Sequence, residues 1–168
     1  EESHLLLCAW EGGRYLGDSL LRLMTSSFQR PNPKACFVEA KVTGHYTNSI
    51  LATTEAKQKG YDEALLLDMY GNVAEGPGAN FFYEKNEVLY TAPLGNILSG
   101  ITRQTIFELA EEYSLAVQIH PYDGEKLVNL KDQYWRFNLV WMMAQCADSL
   151  HLYTLNDYPN RLPKIRTF

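Results

Sequence analysis

The residue pattern predicts an α+β fold, a mixed sheet with flanking helices. Strand-length runs of aliphatic, aromatic and β-branched residues recur between Leu20 and His120. Two longer stretches carry helical patterning and are set apart by several of these runs. The resulting order of strand, helix, strands, helix, strand suits helices packed on a sheet that mixes parallel and antiparallel neighbours.

Each element has a local reason. Residues 20–28 alternate loosely through Met24, Thr25 and Phe28 and read as the first strand, closed by the loop Arg30-Pro31-Asn32-Pro33, where two prolines remove donors and fix φ. Residues 43–59 read as a helix ended by Gly60, the residue type favoured just past a helix C-terminus. The apolar run 63–69 is a second strand, turned at Tyr70-Gly71-Asn72 into a third that begins at 73–75 and is interrupted by Gly76-Pro77-Gly78. Residues 81–84 and 88–91 form a hairpin around Lys85-Asn86-Glu87. Residues 101–113 are the clearest helix, amphipathic through Ile101, Thr105, Phe107, Leu109 and Glu112, with Gly100 just before it. Residues 116–120 alternate and close the series as a strand. Residues 4–10 read as the interior of a larger structure, 134–152 as a helix, and the last ten residues as loop.

Composition narrows the function. A chain of 168 residues with 46% hydrophobic content has the size and material for one domain with a sizeable core. A net charge of -5 without any Lys/Arg-rich run argues against nucleic acid as partner. Apolar runs such as 64–67 are far too short to span a bilayer. Cys8, Cys36 and Cys146 are odd in number and lack CxxC spacing, and Glu1-Glu2-Ser3-His4 lacks a basic leader, so a reduced, cytoplasmic compartment is expected. The four histidines show no HxxxH or HxH pairing, and no metal site is expected.

Three segments carry chemistry in a fixed order. Lys41 stands in Glu39-Ala40-Lys41-Val42-Thr43-Gly44-His45-Tyr46, Glu75 in Ala74-Glu75-Gly76-Pro77-Gly78-Ala79-Asn80, and Gly100-Ile101-Thr102-Arg103 opens the second helix. A lysine, an acid and a helix N-terminus are what an enzyme needs to hold pyridoxal 5′-phosphate (PLP). The lysine amine binds the cofactor aldehyde as a Schiff base and later moves a proton. The acid keeps the pyridine nitrogen protonated, and exposed N–H groups at a helix start bind the phosphate. On this reading Lys41 is the catalytic lysine, Glu75 the pyridine partner, Ile101 and Thr102 the phosphate site, and Tyr46 the donor to the ring phenolate.

Residues 39–84 resemble the large domain of the branched-chain amino acid aminotransferases, PLP enzymes of fold type IV. The matching residues include Lys41, Gly44-His45-Tyr46, Asn48-Ser49, Glu55-Ala56, Gly60-Tyr61-Asp62-Glu63-Ala64, Leu67-Asp68, Gly71, Glu75-Gly76, Gly78 and Asn80-Phe81-Phe82. Gly95-Asn96-Ile97-Leu98-Ser99-Gly100-Ile101-Thr102-Arg103 resembles that family's phosphate segment, and Trp10-Glu11 with Tyr15-Leu16-Gly17 the stretch before the lysine. The resemblance implies that Asn80 and Gly100 also line the cofactor site. It implies reversible transamination of leucine, isoleucine and valine with 2-oxoglutarate, with amino acid and 2-oxo acid as small-molecule partners, in a homodimer. Residues 1–131 then form the PLP-binding large-domain portion.

Departures from the pattern are equally specific. The family's N-terminal small domain, which supplies a phosphate-binding arginine, is absent from this sequence, as is the Gly-Thr-Ala-Ala turn that follows the last strand. Ser99 stands where the family often has proline. Residues 132–168 form an aromatic-rich tail unlike the family, such as a shifted reading frame or a gene fragment leaves. Alternatives are therefore a truncated, non-catalytic fragment that at most binds PLP, a D-amino-acid transaminase or aminodeoxychorismate lyase on the same scaffold, and an interaction module using the aromatic tail.

Each residue also has a plain reading. Lys41 alone is a surface lysine, Glu75 a solvated loop acid, Tyr46 a packing residue and Thr102 a helix N-cap. Gly76 and Gly78 are then turn glycines, Arg103 is at the surface or ion-paired, and Trp135 to Met143 is core filler or an exposed apolar patch.

Overall fold

A computed structural model describes residues 3–9, 21–85 and 88–124. The described elements are β1 (Leu23–Gln29), a 3-10 helix (Thr43–Tyr46) running into α1 (Thr47–Gln58), β2 (Glu63–Leu67), β3 (Val73–Glu75), β4 (Phe82–Lys85), β5 (Val88–Thr91), α2 (Ile101–Glu112) and β6 (Ala116–Ile119). They follow the expected order. The strands form two three-stranded sheets, β1-β2-β3 and β4-β5-β6.

Both sheets are mixed. β1 and β2 are parallel, joined by α1, as parallel neighbours need a long crossover. β3 then returns antiparallel to β2. In the second sheet β4 and β5 form an antiparallel hairpin, and β6 lies parallel to β5 after the crossover through α2. The sequence predicts one mixed sheet; the pairing is instead split at Gly76-Pro77-Gly78. Pro77 has no N–H to offer a ladder. The chain turns there, with the Gly76 N–H donating to the Ala79 carbonyl at 2.8 Å, and enters the second sheet.

Alternation along β2 explains the core. Ala64 and Leu66 pack with Ala52 and Ala56 of α1, and Met24, Phe28 and Tyr61 close this layer. Leu65 points to the opposite face, where it meets Val73, Phe81 and Tyr83. A strand covered on both faces reads as an unbroken apolar run, which is why the segment Ala-Leu-Leu-Leu is legible. A third cluster of Ala74, Ala92 and Ile97 sits under the loop before α2. The alanines of α1 put little bulk between helix and sheet.

The boundaries fall where the punctuation puts them, with two differences. The helix expected over 43–59 opens with the 3-10 turn at Thr43–Tyr46 before becoming α-helical. It ends at Gly60, whose φ of +78° is the left-handed geometry a glycine C-terminal stop supplies. Of the segment expected to be interior over 4–10, the described residues 4–9 are exposed: Leu5, Leu6 and Leu7 are 86%, 85% and 81% exposed, because no described element covers them. The expected helix over 134–152, the tail 132–168 and Trp10 lie outside the described residues. No helix among the described residues is long and apolar enough to cross a membrane.

Candidate functional site

Glu75 is the last residue of β3, and its side chain is buried. Three groups hold it. Arg30 Nε lies 2.8 Å from Oε1, with both side chains 5% exposed. The Leu98 N–H donates to Oε1 and Oε2 at 3.1 and 3.2 Å. Asn80 Nδ2 donates to Oε2 at 2.9 Å. Burial pushes the Glu75 carboxyl up to about 7, against the opposing pull of Arg30, the Leu98 N–H, Asn80 and Arg103. A carboxylate so poised gains from any further cation or donor brought against it.

The sheet order explains why these groups meet. β1 and β3 flank β2, so the end of β1 delivers Arg30 to the end of β3. The Arg30 backbone N–H is fixed to the Leu67 carbonyl at 2.9 Å. Across the Gly-Pro-Gly turn, Asn80 bridges back to Glu75 and also donates through Nδ2 to the Leu98 carbonyl at 2.8 Å. Asn80 thereby ties the acid to the loop that leads into α2.

That loop ends at Gly100, the N-cap of α2, which makes no side-chain capping bond. A Cβ at Gly100 would stand 2.1 Å from Asn80 Oδ1, so only glycine lets Asn80 and the helix start come together. The first N–H groups of α2, those of Ile101 and Thr102, have no acceptor within the helix. Gly100, not Thr102, is thus the cap, and the helix start presents open donors and the positive end of a helix dipole.

Tyr46 closes the 3-10 helix and is half-buried. Burial raises its phenol pKa, the charge of Glu75 raises it further, and Arg30 opposes both. Tyr46 therefore sits within the field of the Glu75–Arg30 pair and holds its proton as a donor. Lys41 precedes the same 3-10 helix on an exposed loop, where the Val42 and His45 N–H groups form successive backbone turns. Among the described residues, the Lys41 amine makes no hydrogen bond or ion pair and is joined to none of the others. The structure thus bonds Glu75 to Arg30, Asn80 and Leu98, brings Asn80 against Gly100 at the start of α2, sets Tyr46 in the field of the acid, and leaves Lys41 exposed beside Tyr46's helix.

Two arginines escape the sequence reading. Arg30 reads as loop because its partner lies far along the chain, and a single charge after a strand carries no signal. Arg103, expected at the surface or ion-paired, is 6% exposed. Its Nη2 donates to the Ala92 carbonyl at 3.1 Å and its guanidinium lies 4.5 Å from the Phe107 ring centroid. No ion pair holds it among the described residues; the Phe107 ring, itself edge-on to Phe82 of β4, lies against its guanidinium. Asp68 is also missed: it gathers the Tyr70 and Asn72 N–H groups at 2.9 Å each and the Asn96 amide at 3.0 Å.

The arrangement is a buried carboxylate beside an uncapped helix start, held in register by one asparagine and one glycine. It can grip a molecule with a protonated ring nitrogen at one end and an anion at the other. A model of the amino-transferase class IV family matches residues 4–133. The chain belongs to that family. The branched-chain-amino-acid aminotransferase of Pseudomonas aeruginosa is 44% identical to it over 114 residues, 66% of this chain and 37% of that protein. The solved branched-chain amino acid aminotransferase of Escherichia coli matches it with a TM-score of 0.68 and 36% identity, over 70% of this chain and 40% of that one. That of Thermobaculum terrenum, in its PLP form, matches with a TM-score of 0.62 and 37% identity, over 65% of this chain and 36% of that one. This class IV aminotransferase chain thus spans about two fifths of the length of the curated relatives it matches.

Proposed function

We propose that this chain is the cofactor-binding part of a PLP-dependent aminotransferase that transfers the amino group of branched-chain L-amino acids to 2-oxoglutarate. The buried Glu75, held by Asn80 and the Leu98 N–H next to the open start of α2, is the observation that carries the reading. The residues fit the cofactor: Glu75 for the ring nitrogen, Tyr46 for the phenolate oxygen, the Ile101 and Thr102 N–H groups for the phosphate, and the Lys41 amine for the aldehyde carbon. Asn80 and Gly100 keep the acid and the phosphate site together.

Each residue has a task in the reaction. Glu75 keeps a proton on the ring nitrogen, and the burial that raises its own pKa makes that contact worth more than one in water. Tyr46 donates its hydroxyl proton as a hydrogen bond. Lys41 Nζ, exposed and without a competing partner among the described residues, would hold the cofactor aldehyde and carry the proton taken from the substrate α-carbon. When bound, PLP supplies the electron sink for the charge left on that carbon. The named relatives support the branched-chain substrate class. A cytoplasmic homodimer belongs to the same reading.

A PLP titration followed by visible absorption tests it. A saturable band, absent in Lys41→Ala and trapped by borohydride, is expected. Donor screening then separates the scaffold's chemistries: leucine consumed with 2-oxoglutarate supports the proposal, D-alanine consumption a D-amino-acid transaminase, and pyruvate release from aminodeoxychorismate the lyase. Binding without turnover of any donor leaves the chain as a cofactor-binding unit and sinks the transamination.

A further inference from the structure

The loop between β5 and α2, residues 92–100, carries both halves of the site. Its Leu98 N–H pins Glu75, and its end becomes the helix start. Three ties hold it. At its base, Arg103 Nη2 donates to the Ala92 carbonyl at 3.1 Å. Near its end, Asn80 Nδ2 donates to the Leu98 carbonyl at 2.8 Å. Between them, Asn96 Nδ2 donates to Asp68 Oδ2 at 3.0 Å. Asp68 is 6% exposed and is itself locked, since its Oδ1 accepts the Tyr70 and Asn72 N–H groups. It belongs to the β2–β3 turn, in the sheet that also supplies Glu75.

We propose that Asn96 is a positioning residue for the cofactor: by donating to Asp68 it fixes the loop against the first sheet and so sets the spacing between Glu75 and the phosphate-binding start of α2. This rests on the reading of the site as a PLP site. Asn80 joins Glu75 to the loop from one side of Leu98, and Asn96 joins the loop to the β2–β3 turn from the other. The Arg103 bond holds the base of the loop, and the Asn80 and Glu75 bonds hold Leu98. The Asn96 bond ties the stretch between them to the β2–β3 turn. A ligand that must reach both the acid and the helix start needs it; a bare anion, which touches only the helix start, does not.

The test uses the full chain with PLP and, separately, inorganic phosphate. Asn96→Asp sets a carboxylate against Asp68 and is expected to weaken PLP binding about tenfold or more, the size of one lost bond to a charged group. Phosphate affinity is expected to change less than about twofold, because the helix N–H groups remain. The exchanged pair Asp68→Asn with Asn96→Asp restores a donor and an acceptor in swapped places, and is expected to recover most of the PLP affinity. Asn96→Ala gives the same contrast where the charged variant fails to fold. Equal losses for PLP and phosphate, no loss for PLP, or no recovery in the exchanged pair each overturn the proposal while leaving the PLP reading intact. Absence of Lys41-dependent PLP binding in the unaltered chain overturns both.

Discussion

At the scale of the residue, Glu75 and Gly100 are each irreplaceable for a different reason. Glu75 is the counter-charge of a buried guanidinium. Glu75→Gln leaves Arg30 buried and unpaired and should cost about 3–5 kcal/mol, read from the urea midpoint. Removing the charge from both partners, with Arg30→Met added, should recover much of that loss; a double variant no better than the single one would mean that packing, not charge, sets the cost. Gly100→Ala acts by volume alone. Its Cβ would lie 2.1 Å from Asn80 Oδ1, so Asn80 must swing away from both Glu75 and Leu98. A loss of roughly 1–3 kcal/mol is expected, with weaker PLP binding; a Gly100→Ala chain that binds PLP as before would show that Asn80 does not set the site.

At the scale of the element, one carboxylate of α1 gathers the donors of β1. Glu55 accepts from Lys59 Nζ at 2.7 Å, the Ser26 hydroxyl at 2.6 Å and the Ser27 N–H at 2.9 Å. These bonds, that from Lys59 foremost, hold its pKa down to about 2. A lowered folded pKa stabilises above the unfolded value of about 4.5 and loses that stabilisation as pH falls toward 2. Thermal melts of Glu55→Gln should therefore differ from the parent most above about pH 4.5 and converge with it at acid pH. A difference that stays constant with pH would place the effect in shape rather than charge. The elements themselves were legible because their punctuation is local: Gly60 and Gly71 both take positive φ, and Pro77 breaks a ladder. The division into two sheets was not, since strand order is a property of partners distant in sequence. Nor was Arg30, whose role exists only once β1, β2 and β3 lie side by side. Lys41, Glu75 and Gly100-Ile101-Thr102 could be picked out by type and order; the residues that hold them, Asn96 and Arg103 among them, are of ordinary types at ordinary spacings.

At the scale of the molecule, the site is a seam. Glu75 and Arg30 come from the first sheet, and the loop into α2 leaves from the second. The bonds that cross between them run through Asn80, Leu98 and Asn96. A ligand that grips the acid and the helix start together should therefore stabilise both sheets as one unit. At PLP concentrations a hundredfold above Kd the linkage is about 2.7 kcal/mol, or roughly 5–10 °C in Tm for a chain of this size. The distribution of that gain is the sharper measurement. Hydrogen exchange should slow at the Leu98 N–H and at the first turn of α2 in parallel with β3. Inorganic phosphate, which can engage only the helix start, should slow the α2 turn and leave β3 unchanged. If PLP protected α2 alone, Glu75 would not be in contact with the cofactor, and the acid would be structural: the counter-charge of Arg30 and nothing more.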